Sequence, residues 1–269
     1  MTTYAVYLTR TARERATRPA IAEATGLSGA DVGLILNSKA PRALAVGRTK
    51  HEVREVVGQL RAVGLDAFAV AHDALNRFAP TPIHQVNRVD GRLVLASRQP
   101  LPLSIEVDRL STIVLGRILH RSEINVEGSR PTVVSGLDLV PMGVSRGGVV
   151  ERRSISSSDE AFLCLFANEP FVILESDFNY RASLDKVALT REGSFRAVLA
   201  MIRDAMPQAA FDDTLHRFPA AVPETAESRA RIIFDENLAE SRVTTTTGSN
   251  ETRVLQAAYL IHLQSGRQA

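Results

Sequence analysis

The chain has one cysteine, Cys164, and no tryptophan among its 269 residues. A single thiol excludes an intramolecular disulfide framework and a multi-thiolate zinc site. Lysine is scarce, standing only at Lys39, Lys50 and Lys186, so arginine carries nearly all the positive charge. With 10 Phe and 4 Tyr, aromatics are sparse, and no cluster of them marks a base-stacking platform. No run of about 20 apolar residues is present, which excludes a membrane-spanning helix. The opening stretch, MTTYAVYLTRTARER, lacks the long apolar core of a signal peptide, so cytoplasm is the expected compartment. The six histidines include no pair at metal-ligand spacing, and no glycine loop of the P-loop or dinucleotide type occurs. No cofactor and no metal are expected.

What is present is ordinary globular composition, 45% hydrophobic and 23% charged, with a net charge of +2. The length suits one or two domains, each able to bury a core. The densest basic cluster is Arg10, Arg13, Arg15 and Arg18, with Glu14 between them. It reads as a solvated loop or as a phosphate-binding surface, and nucleic-acid binding would require such a concentrated patch.

Residues 3–9, TYAVYLT, alternate and favour a strand. Pro19 suits the first turn of a helix over 18–24 that stops near Gly26. Ser28 caps a second helix over 29–37, with Val32, Ile35 and Leu36 on one face, and Pro41 follows it. Residues 43–46 form a short strand or extended link. Thr49 caps a third helix, 50–63, ended by Gly64, and 65–71 form the closing strand. The order is β-α-α-β-α-β, with the helices covering a face of a small sheet.

The series Thr25-Gly26-Leu27, helix, Ala40-Pro41, Val46-Gly47, helix, Leu60 and Gly64 resembles the C-terminal domain of the bacterial ribosomal stalk protein. The Clp-protease adaptor family shares the same general shape. The resemblance covers residues 3–72. It implies the fold; the basic positions of the stalk family's factor-binding helices fall here on Pro19, Ala22, Ala30 and Gly33, so that surface is not implied.

Residues 74–82 contain two prolines and read as a linker. The second half is rich in strands. IHQVNRV at 83–89 and RLVLAS at 92–97 flank an Asp90-Gly91 hairpin turn. Further strands are expected at 103–107, 112–119 and 132–140, then a Gly- and Ser-rich loop over 141–158. AFLCLF at 161–166 and FVILES at 171–176 form another hairpin. A helix over 192–206, with Phe195, Val198, Leu199 and Ile202 on one face, would cap this sheet. The pattern resembles bacterial pleckstrin-homology-like domains, which implies binding of peptides, proteins or lipid headgroups. Residues 219–231 read as a linker and 241–250 as flexible. Over 251–264, Val254, Leu255, Ala258 and Ile261 mark a helix that docks on its own domain, on a second copy, or on a partner.

The predicted architecture is α+β. Residues 1–75 form the stalk-like domain, 76–82 a linker, 83–218 an antiparallel sheet or partly open barrel capped by a helix, and 219–269 a linker and C-terminal helix.

Candidate chemistry is thin. Cys164, inside AFLCLF, reads as a buried small hydrophobe. Ser145, in the stretch from Gly143 to Gly148, lacks the strand-to-helix context of a nucleophile elbow. Asp159-Glu160 and Asp212-Asp213 are acidic clusters that solvation accounts for. Asp177, Asn179 and Arg181 close a strand where sites often lie. The leading expectation is a non-enzymatic protein-interaction or adaptor protein docking through Arg10, Arg13, Arg15 and Arg18. The alternatives are an enzyme built around Asp177, Asn179 and Arg181, or ribosome or nucleic-acid association through the Arg10–Arg18 segment. Homo-oligomerisation through the C-terminal helix is compatible with each.

Overall fold

Strand β1 (Tyr4–Leu8) is buried at every position after Tyr4, since both faces of the sheet it centres are covered. Helices α1 (Arg10–Arg15), α2 (Arg18–Thr25) and α3 (Gly29–Asn37) follow, then β2 (Ala45–Gly47), α4 (Lys50–Ala62) and β3 (Ala67–Ala71). The sheet order is β2-β1-β3, antiparallel throughout. Val6 and Leu8 face the helices and pack with Ile21, Val32, Val53 and Leu60. Ala5 and Tyr7 face the other way and pack with Phe68, Val70, Leu75 and Leu260. Leu75 lies on a short helix, α5 (His72–Asn76), where the prolines beyond it had suggested only a linker.

The caps are those the sequence signals. Ser28 accepts from the Asp31 amide at 3.1 Å and Thr49 from the Glu52 amide at 3.2 Å. Gly26 adopts φ 69° at the end of α2, the left-handed conformation that suits glycine. The Arg10–Arg15 stretch is helical rather than a loop, because buried Thr9 accepts from the Ala12 amide at 3.3 Å and starts the turn.

The computed structural model describes residues 2–97, 103–129, 149–218, 227–234 and 240–265. It is an α+β chain. Contacts divide it into two compact units: Met1–Ile118, Glu160–Ala220 and Glu251–Ala269 form the first, Leu119–Asp159 and Ala221–Asn250 the second.

The first unit continues through β4 (Thr81–Pro82), β5 (Gln85–Val89), β6 (Arg92–Ser97) and β7 (Leu103–Val107). Strands β5, β6 and β7 make a small antiparallel sheet whose first turn carries Asp90 at φ 48° and Gly91 at φ 79°. Then come β8 (Thr112–Ser129), β9 (Val149–Phe166), β10 (Pro170–Leu174), α6 (Tyr180–Ser183), α7 (Arg191–Ala205), β11 (Ala210–Asp212) and α8 (Thr214–Arg217). Strands β12 (Glu227–Phe234) and β13 (Glu240–Ser249) precede the last helix, α9 (Glu251–Ser265). The large sheet is open and mixed, ordered β12-β13-β8-β9-β10-β4, with β11 parallel to β8.

Period-two alternation explains why every residue of the Phe162–Phe166 segment is buried. Leu163 and Leu165 join Phe171, Ile173, Phe195, Val198 and Ile202 on one face. Phe162, Cys164 and Phe166 join Val114, Ile118, Leu215, Val254, Ala258 and Ile261 on the other. Helix α7 thus lies on one face and α9 on its opposite. The apolar stripe of α9 is taken up by its own unit, with Val254, Ala258 and Ile261 on this sheet and Leu260 on the N-terminal one.

The second unit consists of the outer halves of β8 and β9 with β12 and β13. Its strands replace three expected irregular stretches: 149–158 belongs to β9, 227–231 to β12 and 241–249 to β13. These stretches are rich in Ser, Thr, Arg and Glu, so the regular apolar alternation that betrays a half-buried strand is missing. Threonines pair across the ladder instead, Thr244 opposite Asn125, Thr246 opposite Glu123 and Thr247 opposite Ser122. The Arg153 guanidinium at 2.9 Å from Glu123 holds that carboxyl below its ordinary range. The strand expected at 132–140, the loop at 141–148 with Ser145, and residues 219–226 lie outside the described residues.

Two histidines of the first unit make its stability depend on pH. His262 stacks on Phe166 with ring centroids 4.3 Å apart and lies 3.1 Å from the Thr112 hydroxyl. His216 accepts from Arg117 Nε at 3.2 Å. Burial lowers both pKa values, and Arg117 adds to the effect at His216. A histidine whose folded pKa is depressed binds protons preferentially when unfolded. Its contribution is intact above the unfolded value and is lost as pH falls from there towards the folded value. Urea midpoints should therefore drop between about pH 7 and about pH 5, and His262→Gln should flatten that drop. An unchanged slope would assign the effect to other groups.

Candidate functional site

Thr9 sets the direction of α1, and with it two arginines one turn apart. Arg10 and Arg13 line a cleft of about 700 Å3 in the first unit, together with Leu36 in the last turn of α3, Lys39 and Pro41 just after it, Asp212 and Phe218 around α8, and Ile261 and Gln264 on α9. Gln264 anchors the α9 side, donating from Nε2 to the buried Leu8 carbonyl at 2.8 Å.

The charges within the cleft are unevenly matched. Arg10 donates from Nη1 to Asp212 Oδ2 at 2.9 Å and lies 3.8 Å from Glu14. Asp212 is 8% exposed, and its other oxygen accepts from the Thr214 amide at 2.8 Å, opening α8. Arg10 is therefore neutralised twice. Arg13 is different. It is half-buried, and its Nη2 donates to the Leu36 carbonyl at 3.0 Å. Among the described residues no carboxylate pairs with it, and desolvation pulls its pKa below the ordinary arginine value. Lys39 holds its ammonium 5.2 Å from the centroid of the half-exposed Phe218 ring, a cation–π contact, and likewise has no described carboxylate partner.

The structure thus brings together two of the four nominated arginines. Arg15 is exposed. The guanidinium of Arg18 lies against α3, where a Cβ on Gly33 would come within 3.2 Å of its Cζ. Neither lines the cleft. Sequence reading missed Lys39, Phe218 and Asp212 as members. Asp212-Asp213 was visible as an acidic pair, but Asp212 is 202 positions from Arg10, and no local signal joins them.

The alternative residues lie elsewhere in the first unit. Asp177, Asn179 and Arg181 are all exposed. The Asn179 side chain caps α6 by accepting from the Ala182 amide at 3.3 Å, and its backbone amide donates to the His84 carbonyl at 2.7 Å. Its neighbour Tyr180 donates to the Glu175 carbonyl at 2.9 Å, and burial raises its pKa. None of the three lines the clefts named here.

Cys164 is wholly buried between β-sheet and α9, and burial pushes its thiol pKa strongly up. Only a thiolate attacks. A thiol-specific reagent should therefore leave the native chain unlabelled and react fully after denaturation. Prompt labelling of native protein would contradict this burial.

A second cleft, of about 440 Å3, lies within the second unit. His120, Arg121, Ser122, Ser156, Ser158, Thr247 and Ser249 line it, a face of hydroxyls with one imidazole and one guanidinium. Among the described residues no cluster of three or more His, Cys, Asp or Glu is placed to hold a metal ion, and no helix is long and apolar enough to cross a membrane.

Comparison with protein-family models, with curated proteins and with solved structures gave no match.

Proposed function

We propose that this chain is a non-enzymatic protein-interaction module, a cytoplasmic adaptor that receives a partner in the cleft beside α1. The observation that carries this reading is Arg13. A half-buried guanidinium with no counter-ion among the described residues carries a desolvation cost that one carbonyl offsets only in part. A partner supplying an acceptor at that point would relieve it. The apolar side chains of Leu36, Pro41 and Phe218 around it give such a partner surface to bury.

Two resemblances lend support by analogy of fold. The β2-β1-β3 sheet under its helices suits the likeness of residues 3–72 to the stalk-protein C-terminal domain. The open sheet carrying α7 suits the likeness to pleckstrin-homology-like domains. Both families mostly bind other macromolecules.

The test is a pull-down from native cytosol with the full chain and with Arg13→Ala, each at low and high salt. A stoichiometric protein that survives high salt with the wild type and is lost with Arg13→Ala is the expected result. Capture of ribosomes or nucleic acid at low salt alone would replace this reading with electrostatic association along Arg10–Arg18.

A further inference from the structure

Resting on that reading, we infer that the cleft beside α1 recognises an acidic peptide segment, a carboxylate-bearing stretch with an adjacent apolar side chain. The charge inventory selects the sign. Arg10 is spent on Asp212 and Glu14, whereas Arg13 and Lys39 keep a full positive charge each without a described carboxylate partner. Arg13 uses one of its donors on the Leu36 carbonyl, and its fork retains further N–H groups for a carboxylate. Charge-assisted bonds of this kind are stronger in a partly desolvated site than at an open surface.

The same residues select peptide over nucleic acid. Asp212 and Glu14 stand in the cleft and would repel a continuous phosphate backbone. Arg10, Arg13 and Lys39 against Asp212 and Glu14 leave one surplus positive charge, which meets a single carboxylate held between Arg13 and Lys39 and does not make the extended row that counterion release along a polyanion requires. Phe218 is not a stacking platform for a base, because Lys39 already lies over its ring. The part-exposed apolar side chains of Leu36 and Pro41 instead suit an aliphatic or aromatic residue flanking the carboxylate.

A random-peptide display library panned on the full chain tests this. Selected sequences should be enriched in Asp or Glu next to an apolar residue. A fluorescein-labelled synthetic consensus peptide, titrated by anisotropy, should bind wild type at least roughly tenfold more tightly than Arg13→Gln or Lys39→Gln. Arg88→Gln, on an exposed strand end outside the cleft, should bind as wild type does. Thermal melts of each variant separate lost binding from lost folding. Neutral or basic consensus sequences, or acidic ones indifferent to Arg13 and Lys39, would overturn the inference. So would an empty selection, and so would a labelled oligonucleotide that binds in an Arg13-dependent way. If an Arg13-dependent protein partner is still captured from cytosol in those cases, the adaptor reading stands and only the acidic-peptide assignment fails. If no such partner is captured either, both fail.

Discussion

Gly116→Val is expected to destabilise the first unit by roughly 3 kcal/mol, the upper part of the range for overpacking a full core. Gly116 is buried on β8 between Val114 and Ile118, on the face that α9 covers. A Cβ there would run into the Phe162 ring, and the Cβ of Leu215 would lie only 3.1 Å away. Phe162 is fully buried, so its ring has no solvent to retreat into. The backbone at Gly116 is not left-handed, so the demand for glycine is one of space and not of dihedral angle. That distinction gives the control. In a Phe162→Leu background, where the ring is gone, Gly116→Ala should cost markedly less than in the wild type, a coupling that a double-mutant cycle in urea would measure. Equal penalties in both backgrounds would place the strain somewhere other than against Phe162.

Truncation before Glu251 should be more drastic, abolishing cooperative unfolding of the first unit. Helix α9 contributes Val254, Ala258 and Ile261 to the core against β8, β9 and β10, and Leu260 to the core against β1 and β3. Burying a large aliphatic side chain is worth about 2 kcal/mol. Losing three of them removes an amount comparable with the whole net stability of an ordinary domain, about 5–15 kcal/mol. Truncation also strips the Gln264 side chain from the Leu8 carbonyl and His262 from the Phe166 ring. The expected signature is dye binding to exposed apolar surface and no sharp melt. A truncated chain that melts as the full chain does would show that α9 is an appendage. Full retention of stability with a change in solution mass would instead assign the helix to assembly between copies.

The parts of the fold legible in the sequence are those decided within a few residues. Ser28 and Thr49 cap helices because their hydroxyls reach amides three positions on. Asp90-Gly91 turns its hairpin because both residues accept positive φ. The Phe162–Phe166 and Pro170–Leu174 strands announce themselves as unbroken apolar runs. The long polar strands β9 and β13 do not. Among the described residues their outer parts contribute to no apolar core, so nothing in their composition separates them from loop. The cleft is illegible for a different reason. Its charge pattern depends on Asp212 reaching Arg10 and on no carboxylate among the described residues reaching Arg13, and both are facts of packing between segments far apart in sequence. The arginine cluster was visible; which arginines would be neutralised was not.

The dual docking of α9 also sets the order in which the protein can form. The bond from Gln264 to Leu8 spans 256 positions. As the chain is synthesised, β1, β2 and β3 with their helices can collect early. Tyr7, Phe68 and Val70 nevertheless remain only partly covered, by Leu75 of α5, until residues near Leu260 emerge. Closing so long a loop is slow, and apolar surface waiting for it invites association with other nascent chains. Refolding from denaturant should accordingly show a late phase in which the face of the N-terminal sheet bearing Tyr7 and Phe68 becomes protected, after the face packed by α2 and α4.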